Sequence, residues 1–551
     1  MKFQSVNKLF QESFVKHWDR PAVSDFHGET FSYEDVANHI AQLHLFFDEL
    51  GVEKHERIAI CGQNQAGWAI SFLATLTYGA VPVPILHDFT ADNIRNLLGH
   101  SEARVFFADH NIWKVLNGEV PSSVTTVINL KTNRLFYAAN PEIEQALDKA
   151  EHVYKERYPV GIRRDDLNYF EDSADDMAVL NYTSGTSGFS KGVMIPYRAL
   201  YSNLEFGRLD AKTGLDSTKS VVSMLPMAHM YGMMFEFLFE ISIGAHVIFL
   251  TKAPSPKIIL GAFAQVQPDL IVTVPLVIEK IYKSKIKDLI KKVNVLLKVP
   301  VVDNIIKDKI RQKLVNTFGG KFEEIIMGGA AFNPEAEKFF HDIKFPYTVG
   351  YGMTECAPII TYAHHKEAKL YSCGKLVRNM ELRIISADPH NIPGEVQVRG
   401  ANVFLGYYKN PEATAEAFTE DGWFRTGDIG ILDEDGYLFL RGRSKCMILG
   451  PSGQNIYPEE IEYSINNLPY VVDSLVIDDN GTLCALIFPD YAAAEKDGMD
   501  AAAVKEKIAS FLPALNKQLP SYSKIKKIEC RDEDFERTPK KSIRRYLYQK
   551  S

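Results

Sequence analysis

The chain has 551 residues, 46% hydrophobic and 24% charged, a globular composition that excludes a disordered or collagen-like chain. At roughly 150 residues per domain this length predicts three or four compact units, with cores large enough to fold without disulfide or metal staples. Sixty-two Lys and Arg against 70 Asp and Glu leave a formal charge of −8, which argues against a protein that holds nucleic acid by bulk charge.

The N-terminal stretch MKFQSVNKLFQESFVKHWDRP lacks the apolar run and small-residue cleavage site of a signal peptide. Short β-rich runs then alternate with helical patterns. Arg57–Cys61, Val81–Ile85 and Val105–Ala108 read as strands and Ala66–Tyr78 as a helix. Ser220–Leu225, Ala245–Leu250, Leu270–Val274 and Glu324–Met327 read as further strands, with helical stretches between several of them. This alternation predicts largely parallel sheets covered by helices. Met230–Leu250 is long enough to span a membrane, but Glu236, Glu240 and His246 interrupt it. A core helix followed by a strand at Ala245–Leu250 is the expected form. The segment Lys280–Lys321 carries twelve Lys or Arg against three Asp, and reads first as a solvated helical face.

After about residue 376 the texture changes to short alternating runs with Asp-Gly turns, GEVQVRG and DEDGYLFLRGR, as in a small antiparallel barrel. A compact α+β pattern follows from 447 to 551, with strands at Ser474–Ile477 and Leu483–Phe488 and a helix at Ala501–Leu512. The fold class expected is therefore α/β. A large N-terminal domain (1–443) holds two α/β sheet subdomains to about 376 and a small β-barrel at about 377–443. A boundary at 444–446 joins it to a small α+β C-terminal domain (447–551). The six cysteines, at 61, 356, 373, 446, 484 and 530, show no CxxC spacing and suit a reducing cytoplasm.

The strongest local signal is Tyr182–Gly192, YTSGTSGFSKG. It offers hydroxyls, backbone N–H groups on flexible glycines and one lysine, which are the groups a polyphosphate needs. The preceding apolar run Met177–Leu180 reads as a strand end, where ligands sit in open α/β sheets. The spacing is not GxxxxGK[ST], so a P-loop fold is disfavoured.

This run resembles the phosphate loop of the adenylate-forming superfamily, which includes acyl-CoA synthetases. Further blocks occur in that family's order: Tyr351–Gly352–Met353–Thr354–Glu355, then Gly422–Trp423–Phe424–Arg425–Thr426–Gly427–Asp428. Gly442–Arg443–Ser444–Lys445, Gly453 and Pro458–Glu462 complete the series. The resemblance implies ATP, Mg²⁺ and CoA as ligands, and roles residue by residue. Thr183, Ser184, Gly185, Thr186, Ser187, Gly188 and Lys191 would bind phosphate, with Lys191 stabilising pyrophosphate as it departs. Thr183 and Glu355 would hold Mg²⁺, a hard cation that takes oxygen ligands. Thr354 would hydrogen-bond the phosphate. Tyr351 and Gly352, with Gly328, Gly329 and Ala330, would line the adenine pocket. Asp428 would accept from the ribose hydroxyls and Arg443 would reach ribose or phosphate. His229 matches a block near the acyl pocket, Lys445 falls at the hinge, and Gly453 would let pantetheine pass close to backbone.

The family's C-terminal pattern PxTxxGKIxR is altered here to Arg537–Thr538–Pro539–Lys540–Lys541–Ser542–Ile543–Arg544–Arg545. Serine stands where lysine is expected and cannot balance developing negative charge. Lys541 is the favoured substitute and Lys540 the other.

The implied reaction is attack of a carboxylate on ATP, giving acyl-AMP and pyrophosphate, followed by thioester formation with CoA. The Met, Phe and Leu content of Pro226–Phe239, with Ser372–Val377, suggests an apolar acyl chain. YTSGTSGFSKGVM with GPSGQNIYPEEIE resembles bacterial long-chain fatty acyl-CoA synthetases. The basic 280–321 stretch would then meet fatty acid at an anionic membrane surface, making the protein cytoplasmic and peripheral to the membrane. Four alternatives stand beside this reading: ligation to an acyl-carrier protein, release of acyl-AMP to another acceptor, a catalytically silent nucleotide- or acyl-adenylate-binding homologue, and a structural membrane scaffold resting on the basic stretch alone.

Overall fold

The computed structural model describes residues 2–183, 190–252, 254–282, 300–449, 455–479, 482–520, 523–537 and 543–549. The chain packs as two compact units. The first comprises Met1–Thr183, Lys191–Glu381 and Arg399–Glu416, and the second is built chiefly from Leu382–Val398 and Ala417–Ser551.

In the first unit, runs of Val, Ile and Phe form a five-stranded sheet. Its order is Val81–Ile85, Arg57–Cys61, Val105–Ala108, Thr126–Asn129, Leu135–Ala138, all parallel except the last pair. Strands buried on both faces need no polar alternation, which is why these runs are almost wholly apolar. Ala66–Tyr78 returns the chain between the first two strands as a nearly fully buried helix.

A second sheet orders Ser220–Ser223, His246–Phe249 and Pro21–Asp25 in parallel, with Thr30–Ser32 antiparallel at its edge. A parallel bridge from Val221 to Leu270 leads on to the parallel strands Ile271–Thr273, Ile325–Met327 and Tyr347–Val349. Phe263, Phe318, Ile325, Met327 and Phe340 form the core beneath this last group. Two smaller antiparallel sets complete the unit. Met177–Thr183 pairs with Lys191–Pro196, whose other edge takes Gly406–Tyr407, and Ile359–Tyr362 pairs with Tyr351–Gly352 and Lys375–Leu376.

The antiparallel texture read after residue 376 is a four-stranded sheet ordered Met380–Ile385, Gly394–Gly400, Phe424–Leu432, Leu438–Arg443. The C-terminal part of the second unit pairs Val471–Asp478 with Leu483–Pro489, and Lys527–Cys530 lies parallel to the latter. Ile461, Ile465, Val504 and Ile508 pack its helices over that sheet.

Arg57–Cys61, Ala66–Tyr78, Val81–Ile85 and Val105–Ala108 have the predicted bounds. The predicted helix Ala501–Leu512 is corrected: it stops at Ala509, and a second helix starts at Leu512 with Pro513 in its first turn. Proline has no N–H to donate into a continuing ladder, so the helix breaks before it. Met230–Leu250 is helical to Ile243, with a π turn at Met234–Leu238, and continues as the strand His246–Phe249. Among the described residues no helix is long and apolar enough to cross a membrane.

Candidate active site

The Ser/Gly run begins on one strand and ends on its neighbour. Thr183 closes Met177–Thr183, Lys191 opens Lys191–Pro196, and the two residues are direct cross-strand partners. Opposed residues of an antiparallel pair share a face, so the Thr183 hydroxyl and the lysine issue side by side. Ser184, Gly185, Thr186, Ser187 and Gly188 lie outside the described residues.

The outer strand of this set carries Tyr407 opposite Val193. Lys191 Nζ stands 4.5 Å from the centre of the Tyr407 ring, a cation–π distance. The Tyr407 hydroxyl donates to Glu355 Oε1 at 3.0 Å. One tyrosine therefore joins the lysine of the first motif to the glutamate of the second, although they are 164 positions apart in sequence. Thr183 and Glu355 supply hard oxygen donors beside a fixed positive charge, a donor set that fits Mg²⁺ escorting a polyphosphate.

Glu355 sits in a single 3₁₀ turn, Thr354–Cys356, inside an antiparallel hairpin. Asn203 braces the turn, donating to the Cys356 carbonyl at 3.3 Å and accepting from the Ile359 N–H at 3.1 Å. The Phe404 N–H donates to the Glu355 carbonyl at 2.9 Å. Gly352 is required by this hairpin itself, since a Cβ there would lie 2.1 Å from the Pro358 carbonyl oxygen. Tyr351 is buried.

Gly328–Gly329–Ala330 follows the strand Ile325–Met327. Gly329 has φ +81°, left-handed backbone that favours glycine, and it and Ala330 are exposed. A Cβ at the buried Gly328 would approach the Tyr231 ring to 3.2 Å. Tyr231 in turn donates to the Ile326 carbonyl at 3.1 Å.

His229 is half-buried and occupies the position just before the short helix Met230–Met233. Three buried polar side chains hold the segment that presents it. Asn64 donates to the Leu225 carbonyl at 2.6 Å and accepts from the Met227 N–H at 3.0 Å, and Asn181 donates to the Ala228 carbonyl at 3.0 Å. Glu236 Oε2 accepts the N–H groups of Met224 and Leu225 at 3.0 and 2.8 Å. Burial pushes the Glu236 carboxyl well above its usual range. Beyond His229, Tyr231, Phe235, Phe206 and Tyr362 form a chain of edge-on rings 5.4 to 6.4 Å apart. Phe206 and Tyr362 open with Leu376 and Val377 on a cavity of about 310 Å³, whose remaining walls include Asp210, Lys212 and Arg378.

In the second unit, Asp428 and Arg443 are cross-strand partners, with Nε 3.0 Å from Oδ1. The aspartate is buried and the arginine exposed. Asp428 is set by its own turn, Thr426 Oγ1 accepting from the Asp428 N–H at 3.1 Å while donating to the Val396 carbonyl at 2.7 Å. Lys445 lies in the 3₁₀ turn Ser444–Cys446. Gly453 and Lys541, like Lys540 and Ser542, lie outside the described residues. On either side of the latter three, Arg537 and Ile543 form an antiparallel bridge. Farther on, Arg545 makes a two-pronged ion pair with Glu462 of the Pro458–Asn466 helix.

Sequence reasoning missed Tyr407, Asn203, Asn64, Asn181 and Glu236. The alternation around Gly406–Tyr407 marks a strand, but nothing local marks its partner. The asparagines carry no motif at all, because what they satisfy is backbone brought from elsewhere in the chain.

Parallel α/β sheets, a Ser/Gly hairpin ending in lysine and a separate C-terminal α+β region define the class of adenylate-forming folds. A family model described as AMP-binding enzyme matches residues 10–408, and one described as AMP-binding enzyme C-terminal domain matches 447–551. The chain belongs to the AMP-binding enzyme family. It is 30% identical over 474 residues to the long-chain-fatty-acid–CoA ligase FadD15 of Mycobacterium bovis, covering 81% of this chain and 74% of that protein. It is 25% identical over 587 residues to the human long-chain-fatty-acid–CoA ligase ACSBG1, covering 98% and 78%. Among solved structures, ATP-bound MatB from Rhodopseudomonas palustris matches with a TM-score of 0.77 at 22% identity, covering 99% of this chain and 98% of that one.

Proposed function

We propose that the chain is an ATP-dependent fatty acid–CoA ligase, an AMP-forming acid–thiol ligase. The observation that carries this reading is the joining of Lys191, Tyr407 and Glu355 at the mouth of the Ser/Gly hairpin. The lysine and the hairpin hydroxyls would hold the triphosphate of ATP. Thr183 and Glu355 would hold the Mg²⁺ that accompanies it, whose bound charge offsets that of the phosphate oxygens. A fatty acid carboxylate is already a nucleophile, so the protein's task at the first step is to hold it in line with the α-phosphorus. Attack forms the acyl–phosphate bond and expels pyrophosphate, whose charge Lys191 offsets. The CoA thiol then displaces AMP from the acyl-adenylate.

Asp428 and Arg443 are proposed to hold the ribose, Tyr351 and Gly328–Ala330 the adenine, and Lys541 to serve adenylation in place of Ser542. The chain of aromatic rings from Tyr231 to Tyr362 and the cavity at Leu376 support an apolar acyl chain near His229. Residues 444–446 are proposed as a hinge between the N-terminal domain and 447–551, with Gly453 passing close to pantetheine.

Acid-dependent AMP formation, measured from acetate to oleate with CoA and then with an acyl-carrier protein, tests the reading. AMP formation should require CoA and rise roughly tenfold or more from acetate to oleate, as buried methylenes add binding energy. Lys191→Ala and Lys541→Ala should both lower it. No ATP-to-AMP conversion with any acid would overturn the proposal in favour of a silent nucleotide-binding protein, and preference for the carrier protein would redirect the acceptor.

Peripheral contact with an anionic membrane is proposed from the basic stretch 280–321. Its described helix, Pro300–Thr317, exposes Lys309 and Lys313 beside an exposed Ile305, with Lys307 half-buried among them. Replacing these lysines should weaken cosedimentation with phosphatidylglycerol vesicles at low salt. Unchanged binding would reject the contact.

A further inference from the structure

We propose that Glu323, His364 and His365 form a binding site for a borderline divalent cation of the Zn²⁺ class. Glu323 lies just before the strand Ile325–Met327, and the two histidines follow the strand Ile359–Tyr362. One potential ligand atom from each residue falls within 4.8 Å of the other two. His364 Nε2 and His365 Nε2 lie 3.8 and 3.7 Å from the same oxygen, Glu323 Oε1. The ring centres are 4.4 Å apart, with the two planes tilted by 46°.

Both Nε2 atoms are sealed from solvent without a hydrogen-bond partner among the described residues, and His364 is only 6% exposed. A buried polar atom left unpaired costs stability, so two aimed at one carboxylate call for a ligand. Metal at His364 Nε2 places the ring proton on Nδ1, at the expense only of a long 3.4 Å contact from the Lys366 N–H.

The surroundings hold the donors in place. Glu324 accepts from the His365 N–H at 3.1 Å and from the Tyr362 hydroxyl. Lys366 Nζ sits 2.9 Å from Glu323 Oε1 on an exposed side chain, so an arriving cation displaces an ammonium rather than buried packing. Two imidazoles and one carboxylate match zinc sites with three protein ligands and an open fourth position. Ligand atoms about 2 Å from a tetrahedral ion stand about 3.3 Å apart, so each histidine–glutamate distance must close by roughly half an ångström. A bound ion would tie the strand leading to Gly328–Gly329–Ala330 to the strand that follows the Glu355 turn.

The test is titration of metal-stripped full-length protein with Zn²⁺ against a chromogenic chelator, with Co²⁺ absorption as the second readout. One equivalent should bind. His364→Ala and His365→Ala should weaken it by more than the ~10–100-fold that losing a supporting partner costs. Lys366→Met should tighten it several-fold, and this variant keeps the test decisive if a histidine variant fails to fold. Co²⁺ should give ligand-field bands without thiolate charge transfer. No binding, equal affinity in the four proteins, or a thiolate signature from one of the six free cysteines would overturn the proposal.

Discussion

Tyr407 is the residue on which the candidate site turns, because it holds a cation above its ring and a carboxylate on its hydroxyl. Removing only the hydroxyl tests that role without disturbing the ring's packing. A hydrogen bond to a charged group contributes about 1.5–3 kcal/mol. Tyr407→Phe should therefore slow oleate-dependent pyrophosphate release roughly 10- to 100-fold, with kcat falling more than KM rises and with little change in melting temperature. Release within twofold of the parent would show that Glu355 is positioned without it. Gly352 teaches the opposite lesson at the same scale. Its place in a recognisable motif suggests nucleotide contact, yet the Pro358 carbonyl at 2.1 Å from its missing Cβ accounts for the glycine by itself.

Among the elements, Met230–Ile243 is the core helix that its interrupting acids led one to expect, followed by the strand His246–Phe249. Its apolar length resembles a membrane span, and the acids that argue against one are buried in the protein. Glu236 uses one carboxyl oxygen, Oε2, to hold the backbone before His229, whereas neither oxygen of the fully buried Glu240 has a hydrogen-bond partner among the described residues. Burial pushes Glu240 up to about 8. The native state therefore keeps a proton that the unfolded chain loses near pH 4.3. Its stabilising contribution is complete below that value and is lost as pH rises toward about 8, at up to about 1.4 kcal/mol per pH unit. Glu240→Gln cannot ionise, so its first thermal transition should fall less between pH 6 and 8 than that of the parent. Parallel slopes in the two proteins would show that Glu240 is already ionised in the native state. The parallel strands were legible because burial on both faces demands unbroken apolar runs. The break before Leu512 was missed because a single proline four residues beyond Ala509 outweighs the helical pattern around it.

For the molecule as a whole, the proposed hinge makes a prediction that no single unit can make. If 447–551 must turn about Lys445 between the two half-reactions, fixing φ there with proline should separate them. Lys445→Pro should leave pyrophosphate release within about threefold while thioester formation falls at least tenfold, as expected when a conformational step is gated. Equal loss in both steps, measured by single turnover, would remove Lys445 from that role. The motif blocks, the alternating α/β order and the shift to antiparallel strands after residue 376 are local in sequence, so the chain by itself determined the class of fold and the reacting groups. Tertiary structure decided what joins them. Tyr407 meets Lys191 and Glu355, Asn203 braces the Glu355 turn, and Glu323 meets two histidines, only because strands distant in sequence are neighbours in space. Burial, pairing and cross-strand register are properties of that neighbourhood and leave no periodic trace in the order of residues.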